Sequence, residues 1–319
     1  MTIEHAVVEI KCKPWGSNDL LPWSDAATND GPVGELWFQR PDVATTETAL
    51  LFKLIFTTEP LSIQVHPDDV FARSIGLANG KTEAWYILSA APGAQVAVGL
   101  QYPLSSVELR TAIADGSIVN IVRWNEVRKG DVIFVPAGTI HAIGADIVLA
   151  EIQQRSDATF RLFDYGRQRD LHIEKAVAAA KAGSAEGKSP SAKLTEGRTA
   201  LIVNPHFVLE QLDFLPGSVW TLDAPKETWI LIIEGGARIG LTKLPLGNAV
   251  FLQADHAEIE VGPNGLKALL AYAGPNVNPS GLNETSATGA NTASSRAPAV
   301  QTASEHTLPK TQEARTWPL

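Results

Sequence analysis

From Gly130 to His141 the chain reads Gly-Asp-Val-Ile-Phe-Val-Pro-Ala-Gly-Thr-Ile-His, a strand, a tight turn on proline and glycine, and a return strand that begins near the histidine. Two more segments have the same character. An apolar run from Phe52 to Val65 is broken by a turn at Glu59-Pro60, so Gln64 and His66 stand two apart on one strand and project from the same face. After a loop ended by Asn79-Gly80, Glu83 opens the strand Ala84-Trp85-Tyr86-Ile87-Leu88. An amide oxygen, two imidazoles and a carboxylate are thereby placed at strand edges. The donor set Gln64, His66, Glu83 and His141 suits one borderline divalent ion, such as zinc, per chain.

Composition narrows the class. At 319 residues the chain can bury one large or two ordinary cores. Cys12 is the only cysteine, so no intrachain disulfide forms and a reducing, cytoplasmic setting is expected. The start MTIEHAVVEIKCKPWG has neither the basic end nor the apolar centre of an export signal, and no apolar run is long enough to span a membrane. A formal charge of -9 and a pI near 5.3 argue against a general nucleic-acid binder. A small anion is a lesser demand, which a few local cations meet, and Lys53, Lys81, Arg155 and Arg161 lie near the motifs.

The glycine, proline and histidine spacing from Gly130 to His141 resembles the second cupin motif. Most metal cupins open with His-x-His. Here Gln64-x-His66-Pro67 with a distant Lys81-x-Glu83 resembles the type I phosphomannose isomerases, especially their short bacterial form. The likeness extends to Lys13-Pro14-Trp15-Gly16, to Val33-Gly34-Glu35-Leu36-Trp37, to Pro60 through Asp69, and to Glu151 through Arg161 followed by Asp164-Tyr165. It covers about residues 10 to 275. Arg155 departs from the small or polar residue of many members, and the helical domain of the long form is lacking.

The resemblance implies a mainly β chain with a cupin double-stranded β-barrel, or jelly roll, and a few short helices. It also implies interconversion of mannose 6-phosphate and fructose 6-phosphate through an enediol, with zinc on Gln64, His66, Glu83 and His141. Arg161 would stabilise developing negative charge. Lys53 and Lys81 would line the pocket, in proton transfer or in holding phosphate. Asp157 would orient Arg161 or carry a proton, and Ser62, on the strand face of Gln64, would touch substrate. The implied partner is a small sugar phosphate, with no nucleic acid or membrane; the oligomeric state is left open. The alternatives are a sugar-phosphate-binding cupin without turnover, or another metal cupin enzyme such as an oxygenase. Gln64 and the basic set speak against the oxygenase, and retention of the whole motif set in one half of the chain speaks against the pure binder.

Four regions are expected. Residues 1–170 form the catalytic domain, with a short helix over Ser105 to Ala114. Residues 171–199 hold a helix over about 171–182 and a polar linker, with His172 in a structural role. Residues 200–275 return to strands as a degenerate, metal-free cupin-like domain. There Glu227-Thr228-Trp229 parallels Glu83-Ala84-Trp85, Gly247 parallels Gly130, and Glu258 falls where His141 would be. Residues 276–319 are poor in large apolar side chains and are expected to be disordered.

Overall fold

The computed structural model describes residues 3–41, 48–183, 191–278 and 280–285. Among the described residues the strands form three antiparallel sheets. One sheet has six strands, in the order Val7–Ser17, Val33–Gln39, Leu50–Thr57, Ile147–Gln154, Glu83–Ala90 and Val132–Val135. A second has five, in the order Phe160–Phe163, Ile63–Val65, His141–Ile143, Gln95–Leu100 and Val122–Glu126. These two face each other across Ile55, Trp85, Ile133, Val96, Val98 and Ile143. That is the expected two-sheet barrel. The helices Ser106–Ala114 and Ile173–Ala179 cover the outer face of the five-stranded sheet, packing Leu109, Ile113 and Ala176 on Val65, Ala142 and Leu162. Ser105 starts the first helix with a reciprocal capping box to Glu108.

The third sheet has ten strands and curls round its own core of Leu212, Trp220, Ile230, Ile259 and Leu270. Its outer face and that of the six-stranded sheet share one apolar layer. Phe38, Phe52 and Phe56 from one side meet Phe207, Trp229 and Phe251 from the other, all at most 1% exposed. Burying each such ring contributes about 2 to 3 kcal/mol, so neither half could expose this layer cheaply. The two barrels belong to one compact unit.

Several expected boundaries shift for identifiable reasons. Glu4–His5 pairs with Val250 and Phe251, so this strand joins the second barrel's sheet and not the first. The helix expected over 171–182 is shorter, Ile173–Ala179, because Ala180 turns extended at ψ 135 and Lys181 N–H then bonds to Gly138 O. Within the expected linker, Ala192–Thr195 is a strand paired with Arg198–Val203, and 184–190 lie outside the described residues. The tail expected to be disordered from 276 is ordered at its start. Leu282–Glu284 adds an edge strand to Val219–Ala224 and buries Leu282 to 3% exposure. One leucine at a sheet edge is enough to carry a segment that composition alone marks as unstructured. Residues 286–319 lie outside the described set.

The parallel between the two barrels is real in topology but slips by one residue at the glutamate. In the first barrel Glu83 pairs with Val135 and Trp85 with Ile133; in the second, Thr228 pairs with Leu252 and Ile230 with Val250. Counted from the turn glycines Gly130 and Gly247, Thr228 stands where Glu83 does. Since side chains alternate, a one-residue slip exchanges faces. Glu227 and Trp229 therefore turn toward the layer between the barrels. There Glu227 accepts from the amides of Ala49 and Leu50 at 2.6 and 2.9 Å and from the Trp229 indole at 3.0 Å. Glu258 is exposed.

Among the described residues no helix is long and apolar enough to cross a membrane.

Candidate metal centre and active-site pocket

Pleat parity decides which side chains enter the first barrel. On Leu50–Thr57, Phe52, Leu54 and Phe56 face the shared layer, which sends Lys53 and Ile55 inward. Ala84 and Tyr86 likewise leave Glu83 and Trp85 inside, and Ala150 and Ile152 leave Glu151 inside. On the opposite sheet Ile63, Val65 and Ala142 pack on the helices, so Gln64 and His141 point in. Two cross-strand rows result. Arg161, Gln64 and His141 are register neighbours on three adjacent strands, and Trp37, Lys53, Glu151 and Trp85 are neighbours on four.

Two glycines join the motif segments. Gly138, at φ +89, donates its N–H to His66 O at 2.8 Å and so ties the Pro-Gly turn to the first histidine. Gly80 lies against Pro67 and Asp69 so closely that a Cβ would meet backbone at 2.6 Å; Lys81 N–H then reaches Pro67 O at 3.0 Å. Residues far apart in the chain are thereby set side by side.

His66, Glu83 and His141 are at most 1% exposed, with one ligand atom of each within 4.8 Å of the others. His66 Nε2 is 3.2 Å from Glu83 Oε1, and His141 Nε2 is 3.7 Å from Glu83 Oε2. The other ring nitrogens meet carbonyls, His66 Nδ1 at Ala158 O (2.7 Å) and His141 Nδ1 at Thr139 O (2.9 Å). A carbonyl can only accept, so each Nδ1 carries the proton and each Nε2 offers a lone pair to the cluster. Burial keeps both rings neutral. His141 is pushed down to about 3 by burial with His66 beside it, and His66 is lowered by burial and the Lys81 ammonium. Burial opposes ionisation of Glu83, but Lys81 outweighs it and holds the carboxyl well below its usual range.

These residues fit a divalent cation. Glu83 Oε2 is buried with no hydrogen bond, an expensive arrangement for a carboxylate unless a cation faces it. The Lys81 ammonium donates to His66 Nε2 at 3.1 Å and to Glu83 Oε1, so the donors already converge on positive charge. Gln64 differs from expectation. Its oxygen accepts from Ser62 Oγ at 3.2 Å, while Nε2 lies 3.3 Å from His141 Nε2 and meets that ring's lone pair.

A cavity of about 240 Å³ opens beside the cluster, lined in part by Lys53, Ser62, Gln64, Lys81, Asp157 and Arg161. Arg155 does not line it; both terminal nitrogens of that guanidinium lie 3.1 Å from Gln39 Oε1. Burial would lower the Lys53 ammonium, but Glu151 at 3.1 Å and Glu35 at 3.5 Å raise it above the ordinary lysine value. Lys53 is therefore held as a buried ammonium between two carboxylates. No ion pair or hydrogen bond among the described residues occupies the Arg161 guanidinium, because Asp164 instead holds Arg169 at 2.6 and 2.7 Å and Asp157 makes no bond to Arg161. Burial and the neighbouring Arg169 lower Arg161.

Glu151, Glu35, Lys13, Arg169 and His172 also line the cavity, and sequence reasoning assigned none of them to the site. For Glu151 a signal existed: it is a lone carboxylate inside an apolar strand, Ile147–Gln154. Burial and nearby Glu83 raise its pKa against the pull of Lys53, and its Oε2 accepts from the Trp85 indole at 3.0 Å. Another cavity, of about 330 Å³, opens in the second barrel between Thr228, Tyr272, Val277, Asn278 and Leu282. Its buried Arg198 is paired with Glu210 through two 3.0 Å bonds.

No family model matches the chain. It is 35% identical over 220 residues to the mannose-6-phosphate isomerase of Streptococcus mutans, covering 65% of this chain and 69% of that protein. It is 39% identical over 135 residues to the mannose-6-phosphate isomerase ManA of Bacillus subtilis, covering 40% of this chain and 42% of that one. Among solved structures it resembles a Bacillus subtilis mannose 6-phosphate isomerase, with a TM-score of 0.74 and 24% identity over 85% of this chain and all of that chain. A phosphomannose isomerase from Salmonella typhimurium gives a TM-score of 0.69 at 15% identity over 86% of this chain and all of the other. Sequence identity sustained over more than two thirds of the Streptococcus mutans enzyme, on a shared fold, places this chain in the mannose-6-phosphate isomerase family.

Proposed function

We propose that the chain interconverts mannose 6-phosphate and fructose 6-phosphate at the His66–Glu83–His141 centre, moving one proton between C1 and C2 through an enediol. The observation that carries this is the convergence of a cation site and a cationic, ligand-sized pocket in a chain of that family. Two imidazoles and a carboxylate favour zinc, one per chain, with Gln64 as fourth ligand once its amide turns its oxygen from Ser62 to the cluster. When bound, the ion would polarise the sugar carbonyl and hold the neighbouring oxygen.

The rest falls to side chains. Glu151 is a buried pocket carboxyl whose affinity for a proton is raised, which suits it to take the C2 proton at Oε1 and return it at C1. The Trp85 indole fixes Oε2 and so aims the group. Lys53, charged beside it, balances the carboxylate form. Arg161 offers an unspent guanidinium to negative charge on the substrate as the enediolate forms, with Asp157 on the same wall to limit its swing. Lys81, already on Glu83 and His66, would turn with Ser62 toward sugar oxygens. The half-buried, unpaired Cys12 is in keeping with a reducing cytoplasmic setting.

The test is a coupled assay for fructose 6-phosphate on protein of measured metal content supplied with mannose 6-phosphate. Steady turnover is expected. Saturable binding with no product would make the chain a sugar-phosphate-binding cupin instead.

A further inference from the structure

His172 was expected to be structural, yet it lies on the pocket wall, at the start of Ile173–Ala179. Its Nδ1 accepts the backbone N–H of Arg161 at 3.1 Å, and its own N–H donates to Arg161 O at 2.9 Å. An amide N–H can only donate, so Nδ1 is unprotonated and the ring proton sits on Nε2. Burial and the Arg161 guanidinium lower the ring's pKa, in keeping with a neutral imidazole. The ring stands edge-on to Phe160 with centroids 6.2 Å apart, which limits its rotation. Among the described residues Nε2–H has no hydrogen-bond partner.

Its place across the sheet gives this free donor a meaning. His141, Gln64 and Arg161 follow one another on adjacent strands, and His172 joins the outer side of the Arg161 strand. Strands lie about 4.8 Å apart, so His172 stands two spacings, roughly 10 Å, from Gln64 and three, roughly 14 Å, from His141 along the pocket wall. An open six-carbon sugar with its first two carbons at the ion sets its terminal phosphate at about that remove. Among the described residues, Nε2–H of His172, the guanidinium of Arg161 and the Thr159 hydroxyl line this end without an internal partner. The nearby Arg169 is already neutralised by Asp164.

We infer that His172 is a substrate-binding residue, whose Nε2–H donates to a phosphate oxygen of the sugar phosphate beside Arg161 and so selects phosphorylated over free sugar. This rests on the isomerase reading, and the experiment separates the two. His172→Asn leaves an acceptor oxygen near the position of Nδ1, keeping the bond to the Arg161 amide while removing the Nε2 donor. In the full-length, metal-loaded protein it should raise KM for mannose 6-phosphate about tenfold, as loss of a charge-assisted hydrogen bond does, with kcat within about twofold. Inhibition by inorganic phosphate should weaken in parallel, with metal content unchanged. His172→Gln, which keeps a donor near the place of Nε2, should hold phosphate inhibition within about threefold of wild type. Unchanged KM and phosphate inhibition in the Asn variant would overturn the assignment. So would a fall in kcat at constant KM, or equal losses in the Asn and Gln variants, which would mark a structural role. If wild type makes no product, the isomerase reading fails alone, and direct calorimetric binding of inorganic phosphate to wild type and His172→Asn still decides the anion site.

Discussion

At the scale of single residues, the site is a set of hydrogen-bond obligations met by carbonyls and amides so that a few atoms remain free. His66 and His141 spend Nδ1 on Ala158 and Thr139, Glu83 keeps Oε2 unspent, and Arg161 has no carboxylate of its own. His141→Ala should therefore abolish both metal content and turnover while leaving the fold, with elemental analysis and circular dichroism as the checks. Glu151→Gln should retain the metal and lower kcat by roughly a hundred- to a thousandfold, since the amide cannot take the proton; near-wild-type kcat would move that duty to Asp157. Arg161→Ala should also keep metal and fold. A kcat fall of similar size at little-changed KM would match a charge met only as the enediolate forms, whereas a raised KM at constant kcat would assign the guanidinium to phosphate.

At the scale of elements, much was legible. Gln64, His66, Glu83 and His141 could be read as neighbours because alternation and turn chemistry are local rules, and the strands Leu50–Thr57, Ile63–Val65 and Glu83–Ala90 follow them. Glu151 and His172 were not assigned because their surroundings are set by register across strands distant in sequence, such as Glu151 opposite Lys53 and Trp85. The same limit explains Glu227: its likeness to Glu83 is one of letters, and pairing places it on the opposite face. Glu227→Ala should leave the buried Leu50 amide unpaired, with the Ala49 amide turning to water, and cost about 1 to 3 kcal/mol in a urea titration, with metal content unchanged. The edge strand Leu282–Glu284 gives a further check. Ending the chain after Asn278 should lower the melting temperature by a few degrees, whereas ending it after Thr285 keeps this strand.

At the scale of the whole molecule, a buried donor set is stable only over part of the pH range unless an ion occupies it. His141 titrates at about 3 in the folded state against the ordinary 6.5, so below pH 6.5 the unfolded chain binds a proton that the folded one does not. Metal-free protein should thus be fully stable above about pH 6.5 and lose up to about 1.4 kcal/mol per pH unit for this histidine as pH falls toward 3. His66 is shifted in the same direction and adds to the loss. His141→Gln should flatten that slope in denaturant titrations. The shared layer of Phe52, Phe56, Trp229 and Phe251 predicts that both barrels unfold together in one transition.

Metal-dependent isomerisation at His66, Glu83 and His141, as proposed, can be followed by proton magnetic resonance of mannose 6-phosphate in deuterated water. Fructose 6-phosphate should form with deuterium entering from solvent, both should be suppressed by a strong chelator, and both should recover on adding zinc. No product at full metal occupancy, or turnover that survives complete removal of the metal, would contradict the proposal.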